Sequence, residues 1–267
     1  MVGVLVFAIG ASIGSFINVV ADRLPQGRSL VTPRSACDSC GTPLSNAELI
    51  PILSYIVLRG RCRHCSVGIP IRVLAVEIAT AILFIGLYLQ HGLSGEFVVL
   101  AVAMAFLLAI AAIDFDRQLI LNSMTFPAVV VALAMAAFWP ELGFDRTFFG
   151  LGSNWASFVN SLLSGLGAFL VFMGIAIASR QGMGWGDVKL VLVLGFLLGY
   201  PAILVSLWLG VVSGGVVAVT LWATGLRGRK DVIPFGVFLA GGAIAGLFLL
   251  GWITSRYQQH GIEGFLL

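Results

Sequence analysis

Charge is what this sequence has least of. Only 10% of its 267 residues are Asp, Glu, Lys or Arg, while 59% are hydrophobic; a soluble domain carries roughly 25% charged residues. An ordinary water-soluble globule is therefore excluded. The net charge is only +3, so no field suited to a nucleic-acid partner is expected. Cysteine is scarce too, with four residues that all fall between Cys37 and Cys65. Internal repeats and low-complexity tracts are missing. No Rossmann-type glycine fingerprint follows a strand, so no cofactor site can be assigned by that route. No Lys or Arg precedes the first apolar run, which lacks the positive n-region of a cleavable signal peptide and is read as a retained helix.

What is present is a succession of long apolar runs. A bilayer core needs roughly 20 apolar residues per helix, and apolar runs, most of them near that length, lie near 2–20, 70–91, 97–113, 123–139, 156–178, 187–199, 201–223 and 234–252. The expected fold class is an all-α integral membrane protein with about eight transmembrane helices, and membrane lipid is an expected partner. The polar stretch between the first two spans is large enough for a small domain. The expected division is 1–20 as a first transmembrane helix, 21–69 as a cytosolic cysteine-rich loop domain and 70–267 as the main transmembrane domain. With the N-terminus outside, Arg23, Arg28, Arg34, Arg59, Arg61, Arg63, Arg72, Arg117, Arg180, Lys189, Arg227, Arg229 and Lys230 fall on the cytosolic side. That is 13 of the 15 basic residues, leaving Arg146 and Arg256 outside, and the positive-inside rule favours this orientation.

The cysteines form two C-x-x-C pairs, Cys37–Cys40 and Cys62–Cys65, with 21 residues between them. This spacing resembles a treble-clef or ribbon-like zinc knuckle, in which each pair clasps one side of a tetrahedral Zn²⁺. Gly41 and Ser66-Val67-Gly68 follow the pairs closely, as a tight turn requires. Two disulfides are the competing reading, but the orientation puts this loop in a reducing compartment. A thioredoxin-like role fits worse, because no βαβ pattern surrounds either pair. A loop with few large apolar residues needs a staple to fold.

Acids bordering membrane spans are costly and so are functional candidates. Asp114 ends the third span in Ala112-Ile113-Asp114-Phe115-Asp116. Asp187 opens the sixth in Gly184-Trp185-Gly186-Asp187-Val188-Lys189. In the orientation above both helix ends face the cytosol, so the two carboxylates share one depth. The run from Asp187 to Gly199 is too short for a ~30 Å core at ~1.5 Å per residue, which draws Asp187 inward. Gly182, Gly184 and Gly186 leave the backbone beside the acid bare, allowing an extended peptide to approach. Two close carboxylates sharing a proton are the chemistry of aspartyl proteases. Helix capping and dipole stabilisation explain the same acids without catalysis. Asp116 competes with Asp114 on position alone.

These residues resemble the bacterial type IV prepilin leader peptidase family, many of whose members are also N-methyltransferases. The resemblance runs from Gly10 to about Gly241. It is carried by Gly14-Ser15-Phe16-Ile17-Asn18 with Arg23-Leu24-Pro25, the paired C-x-x-C loop with Glu48, Pro51, Ser54-Tyr55, Arg72 and Glu77, the G-x-G-D motif at Gly184–Asp187, and Pro234-Phe235-Gly236. It implies a membrane aspartyl protease of the bacterial inner membrane with Asp114 and Asp187 as the catalytic pair, and Gly184, Gly186 and Lys189 at the substrate approach. It also implies prepilin or pseudopilin substrates cut on the cytosolic side, then methylation of the new N-terminal residue with S-adenosylmethionine. Asn18, Arg72 and Glu77 border the loop and read either as methyltransferase residues or as structural ones, through snorkelling, capping or interhelical bonds. The chain departs from the family at Leu119-Ile120-Leu121-Asn122, where Leu-Leu-Pro-Asp is frequent, and at Val237, where Pro is frequent. Two rival readings remain open on the residues alone: a transporter using the acids as a proton or cation path, and a zinc-stapled scaffold that docks an assembly ATPase.

Overall fold

A computed structural model describes residues 1–142, 154–179, 183–226, 228 and 233–260. Gly182, Arg146, Arg180, Arg227, Arg229 and Lys230 lie outside the described residues, as does the side chain of Arg256. The described residues contain no strand, only two isolated bridges, Ala36 with Pro43 and Arg61 with Gly68. Eight of the helices correspond one to one with the eight apolar runs: α1 (Val2–Arg23), α3 (Ile71–His91), α4 (Gly95–Arg117), α5 (Asn122–Met135), α6 (Asn154–Ala178), α7 (Trp185–Leu198), α8 (Ala202–Ala223) and α9 (Phe235–His260). A short α2 (Leu53–Val57) lies in the polar loop, where no apolar run announced it. α1, α3, α4, α6 and α8 are long and apolar enough to cross a membrane. α5 and α7 are 14 residues each, or about 21 Å at the helical rise.

The chain divides into two compact units, Met1–Ile113 and Asp114–Leu267. In the first, α1 packs along α3. The seam is built on Gly10 and Gly14, where a Cβ would come within 2.9 Å of Ala81 Cα and 2.7 Å of Glu77 Cα. Small residues four apart let two backbones touch, which is how helices associate where apolar burial alone gives no preference.

In the second unit α7 is the hub, packed against α5, α6, α8 and α9. Its Val188, Leu190, Val191 and Leu194 are fully buried, as expected of a helix that is apolar all round. Asn160 of α6 ties down the turn after α7: its Nδ2 donates to Tyr200 O at 3.1 Å and its Oδ1 accepts Tyr200 N–H at 2.7 Å. The first turn of α7 is thereby held at the end of a helix fixed along its length.

Candidate active site and metal centre

Asp114 lies in the last turn of α4, which runs on to Arg117 rather than stopping at the acid. Residues two apart on a helix point about 200° from each other, so Asp114 and Asp116 cannot share a face. Asp114 is 4% exposed, whereas Asp116 is exposed. Asp114 Oδ2 accepts Val237 N–H at 3.2 Å, and Gly236 N–H is also directed at this carboxylate. These amides open α9 and have no partner within their own helix, so a helix N-terminus serves as a ready anion cradle. Gly236 makes the approach feasible, since a Cβ there would sit 2.9 Å from Asp114 Oδ2.

Asp187 is the third residue of α7, whose N-cap is Gly184. Its carboxylate folds back to accept Gly184 N–H, in the manner of an acid that closes a capping box. A Cβ on Gly186, beside Asp187, would come 2.9 Å from Ile120 Cβ, and one on Gly236 would come 3.0 Å from Ile120 Cδ1 and 2.9 Å from Asp114 Oδ2, so the two acids share one neighbourhood although they lie far apart in sequence. Gly184 is exposed and Gly186 half-buried. Lys189, expected at the substrate approach, donates from Nζ to Asn122 Oδ1 at 2.8 Å and lies 5.6 Å over the Phe126 ring. It therefore ties α7 to the start of α5.

The four cysteines converge. Their Sγ atoms all lie within 4.8 Å of one another, and Cys37 Sγ is 3.8 Å from Cys65 Sγ. A tetrahedral Zn²⁺ with Zn–S bonds of about 2.3 Å has sulfur–sulfur edges of about 3.8 Å, so this donor set fits the metal. None of the four is in a disulfide. Both pairs use the same turn. Cys37 N–H donates to Thr42 O at 3.0 Å and Gly41 N–H to Cys37 O at 2.8 Å; Cys62 N–H donates to Val67 O at 2.8 Å and Ser66 N–H to Cys62 O at 3.0 Å. The residue after each second cysteine is left-handed, Gly41 at φ 68° and Ser66 at φ 59°. The Thr42 hydroxyl, 3.3 Å from Cys40 Sγ, pulls that thiol's pKa down to about 6 and favours the thiolate a metal needs.

Asn18 and Glu77 both lie buried at the α1–α3 seam. Asn18 Nδ2 donates to Val73 O at 3.0 Å and Gly14 O at 3.2 Å, while its buried Oδ1 has no partner among the described residues. Glu77, 4% exposed, accepts Ile52 N–H at 2.7 Å and a bond from the Ser15 hydroxyl. Ile52 has φ 64° and ψ −54°, and Leu53 N–H reaches back to Pro51 O at 2.6 Å. This is a γ-turn with positive φ on a β-branched residue, a strained arrangement that persists only when its surroundings over-determine it. Glu77 supplies one such constraint. Arg72 pairs with Asp22 at 2.6 Å.

A helical chain of membrane-spanning composition that carries one buried and one half-buried acid at helix ends, and a four-thiol cluster, defines a class of integral-membrane protein with a candidate hydrolytic centre. Comparison with known proteins narrows that class. The "Bacterial Peptidase A24 N-terminal domain" matches residues 8–91, and the "Type IV leader peptidase family" matches residues 101–219. Curated relatives named prepilin leader peptidase/N-methyltransferase include one from Myxococcus xanthus, 36% identical over 85% of this chain and 65% of its own length. Another from Bacillus subtilis is 31% identical over 95% of this chain and 96% of its own, and one from Burkholderia pseudomallei is 32% identical over 91% and 85%. No solved structure matches the chain. The chain belongs to the type IV leader peptidase family, a family of protease enzymes.

Proposed function

We propose that this chain is a membrane aspartyl endopeptidase that removes the leader of type IV prepilins or pseudopilins, with Asp114 and Asp187 as the catalytic pair. The observation that carries the reading is that each acid lies against the N-terminus of a helix, Asp114 at α9 and Asp187 at α7, with Ile120 packed beside both places. Backbone amides hold both carboxylates without neutralising them, and two like charges this close are relieved by sharing one proton. The ionised carboxylate takes a proton from water as the water oxygen attacks the scissile carbonyl carbon. The protonated partner gives its proton to the carbonyl oxygen. Collapse of the resulting gem-diol breaks the C–N bond as the leaving nitrogen is protonated, so the pair ends as it began and one water is consumed.

In this reading the chain crosses the bacterial inner membrane about eight times, with α5 and α7 as short helices supported by their neighbours, the N-terminus is outside and the acids face the cytosol, where a short basic leader ahead of a hydrophobic helix is presented. The loop 21–69 is a small domain stapled by zinc on Cys37, Cys40, Cys62 and Cys65. Purified Asp114→Asn and Asp187→Asn proteins tested against a leader-bearing pilin should fail to cleave, and a chelator should leave wild-type cleavage intact because no metal takes part in the hydrolysis.

The same reading includes methylation of the new N-terminal residue, for which S-adenosylmethionine supplies the methyl group. Asn18, with its orphaned buried amide oxygen, and Glu77 and Arg72 beside the loop are the residues proposed to serve it. Binding of S-adenosylhomocysteine, followed by calorimetry, should weaken in Asn18→Ala if this assignment holds. Unchanged binding would remove Asn18 from it.

A further inference from the structure

We propose that the outward face of α2, together with Arg59, Arg61 and Arg63, docks on the anionic phospholipid surface beside α1 and α3, an inference that rests on those two helices crossing the membrane as proposed above. α2 (Leu53–Val57) places Leu53, Ile56 and Val57 at i, i+3 and i+4, so they share one face. They are 61%, 60% and 78% exposed, and Leu49 and Ile50 just before the helix are exposed as well. Ser54 and Tyr55, between them, are half-buried. Cys62 is the only buried residue in 24–69, so the loop leaves this apolar face uncovered by protein.

Bonds at both ends of α2 fix the level at which that face stands. At its start Ile52 N–H donates to Glu77 at 2.7 Å, and Glu77 is six residues past Ile71, the first residue of α3, or about 9 Å along the axis. Further on, the Tyr55 hydroxyl donates to Ile69 O at 3.3 Å and Ile69 N–H to Gly60 O at 2.7 Å. α2 therefore lies beside the first turns of α3 and not out beyond its end. The first turns of a membrane-spanning helix stand at the boundary between headgroups and acyl chains, the level at which a helix with one apolar face settles.

Charge decides what covers the face. No Asp or Glu falls between Glu48 and Glu77, and Glu48 is engaged by Ser45. Arg59, Arg61 and Arg63 are exposed, and none makes a side-chain hydrogen bond or ion pair with a described residue. With Leu58, Cys62 and Ser66 they line one recess. Leu58 is the C-cap of α2, so this cationic recess adjoins the apolar face. Guanidiniums beside exposed aliphatic side chains match a leaflet that presents phosphates above acyl chains. A prepilin leader, basic in the reading above, would be repelled by the same arginines.

The test uses full-length protein in nanodiscs of phosphatidylcholine, with or without about one-third phosphatidylglycerol. Photoreactive p-benzoyl-phenylalanine replaces Val57 or, for comparison, Ile82, an exposed residue midway along α3. After illumination in the mixed discs, intact mass should show lipid attached at both positions. Phosphatidylglycerol should slow amide exchange across 49–58 by at least about tenfold, since each arginine near an anionic surface contributes about fivefold. Arg59→Gln, Arg61→Gln and Arg63→Gln combined should remove most of that slowing. Raised salt should do the same in wild type, which keeps the test usable if the triple variant folds poorly. Lipid attached at Ile82 but not at Val57, or exchange indifferent to phosphatidylglycerol, overturns the inference and leaves the membrane topology standing. Attachment of Val57 to added pilin in place of lipid also overturns it. No lipid at either position overturns the topology and the inference with it.

Discussion

The cysteine loop and the acid pair solve the same problem, gathering reactive side chains at one point, by opposite means. In the loop each pair is set by a local turn of six residues, repeated almost bond for bond at Cys37–Thr42 and Cys62–Val67, and little apolar mass stands behind it. At the acids no local motif does the gathering. Asp114 is met by Val237, 123 positions along the chain, and the meeting is enforced by helices packed through glycines. The proposed zinc would hold this locally built cluster together, whereas a packed bundle needs no such ion. Damage at one place should therefore read out differently from damage at the other.

The largest expected separation comes from the acids. Asp114→Asn and Asp187→Asn should each lower cleavage by about 10²–10⁴-fold or more with the fold intact, because Asn keeps the shape but cannot exchange the proton. Asp116→Asn, on the opposite face of α4, should keep most activity. Circular dichroism alongside peptide-cleavage rates checks both halves of that statement.

Stripping metal from the loop should do the reverse. Cys37→Ser or a strong chelator should abolish slow amide exchange across 36–68, since folding of such a cluster is coupled to its ligand, while cleavage changes by no more than about threefold. If hydrolysis stops at the same chelator concentration that frees the loop, the independence of the two regions is broken.

A smaller effect is expected at the α1–α3 seam. Gly14→Ala puts a Cβ 2.7 Å from Glu77 Cα, and overpacking of this kind costs about 1–3 kcal/mol. The thermal midpoint should drop by a few degrees, with Asp-dependent cleavage retained after correction for folded fraction. The smallest effect is at the loop's capping contact, where Ser45 N–H and hydroxyl both donate to Glu48 Oε2 at 2.8 and 2.6 Å. The Ser45 hydroxyl bond lowers the Glu48 pKa, so this support is complete above the unfolded carboxylate value and fades as pH falls through the lower folded one. Ser45→Ala and wild type should therefore differ slightly near neutral pH and converge in acid.

Some of this was readable in the residues because the physics is local or periodic. Eight apolar runs predict eight helices, two C-x-x-C pairs predict a four-thiol cluster, and the depth of two acids predicts that they can meet. Asp114 and Asp116 could not be ranked, because spacing shows that they face opposite ways but not which way is inward. Lys189 reads as a residue of the substrate approach beside G-x-G-D, and its bond to Asn122, a pairing between distant elements, has no trace in the local sequence. Ile52 and Glu77 are joined by a backbone amide, which leaves no side-chain pattern. The cradle at Gly236 and Val237 had one visible trace: a glycine just inside a helix after Pro234, where a bare backbone amide is available to an anion.

The central position of α7 bears on how the surrounding lipid influences the enzyme. Between Val188 and Leu198 its side chains are nearly all covered by neighbouring helices, so acyl chains do not solvate the element that carries Asp187. A helix of 14 residues in direct contact with lipid would be sensitive to hydrophobic mismatch, with tilt or local thinning answering each change in bilayer thickness. The large apolar side chains that α6 and α8 expose are available for that contact in the proposed membrane setting, and α7 would sense thickness only through its neighbours. Turnover should then be nearly flat across phosphatidylcholines of increasing chain length, even where the outer helices adjust their tilt.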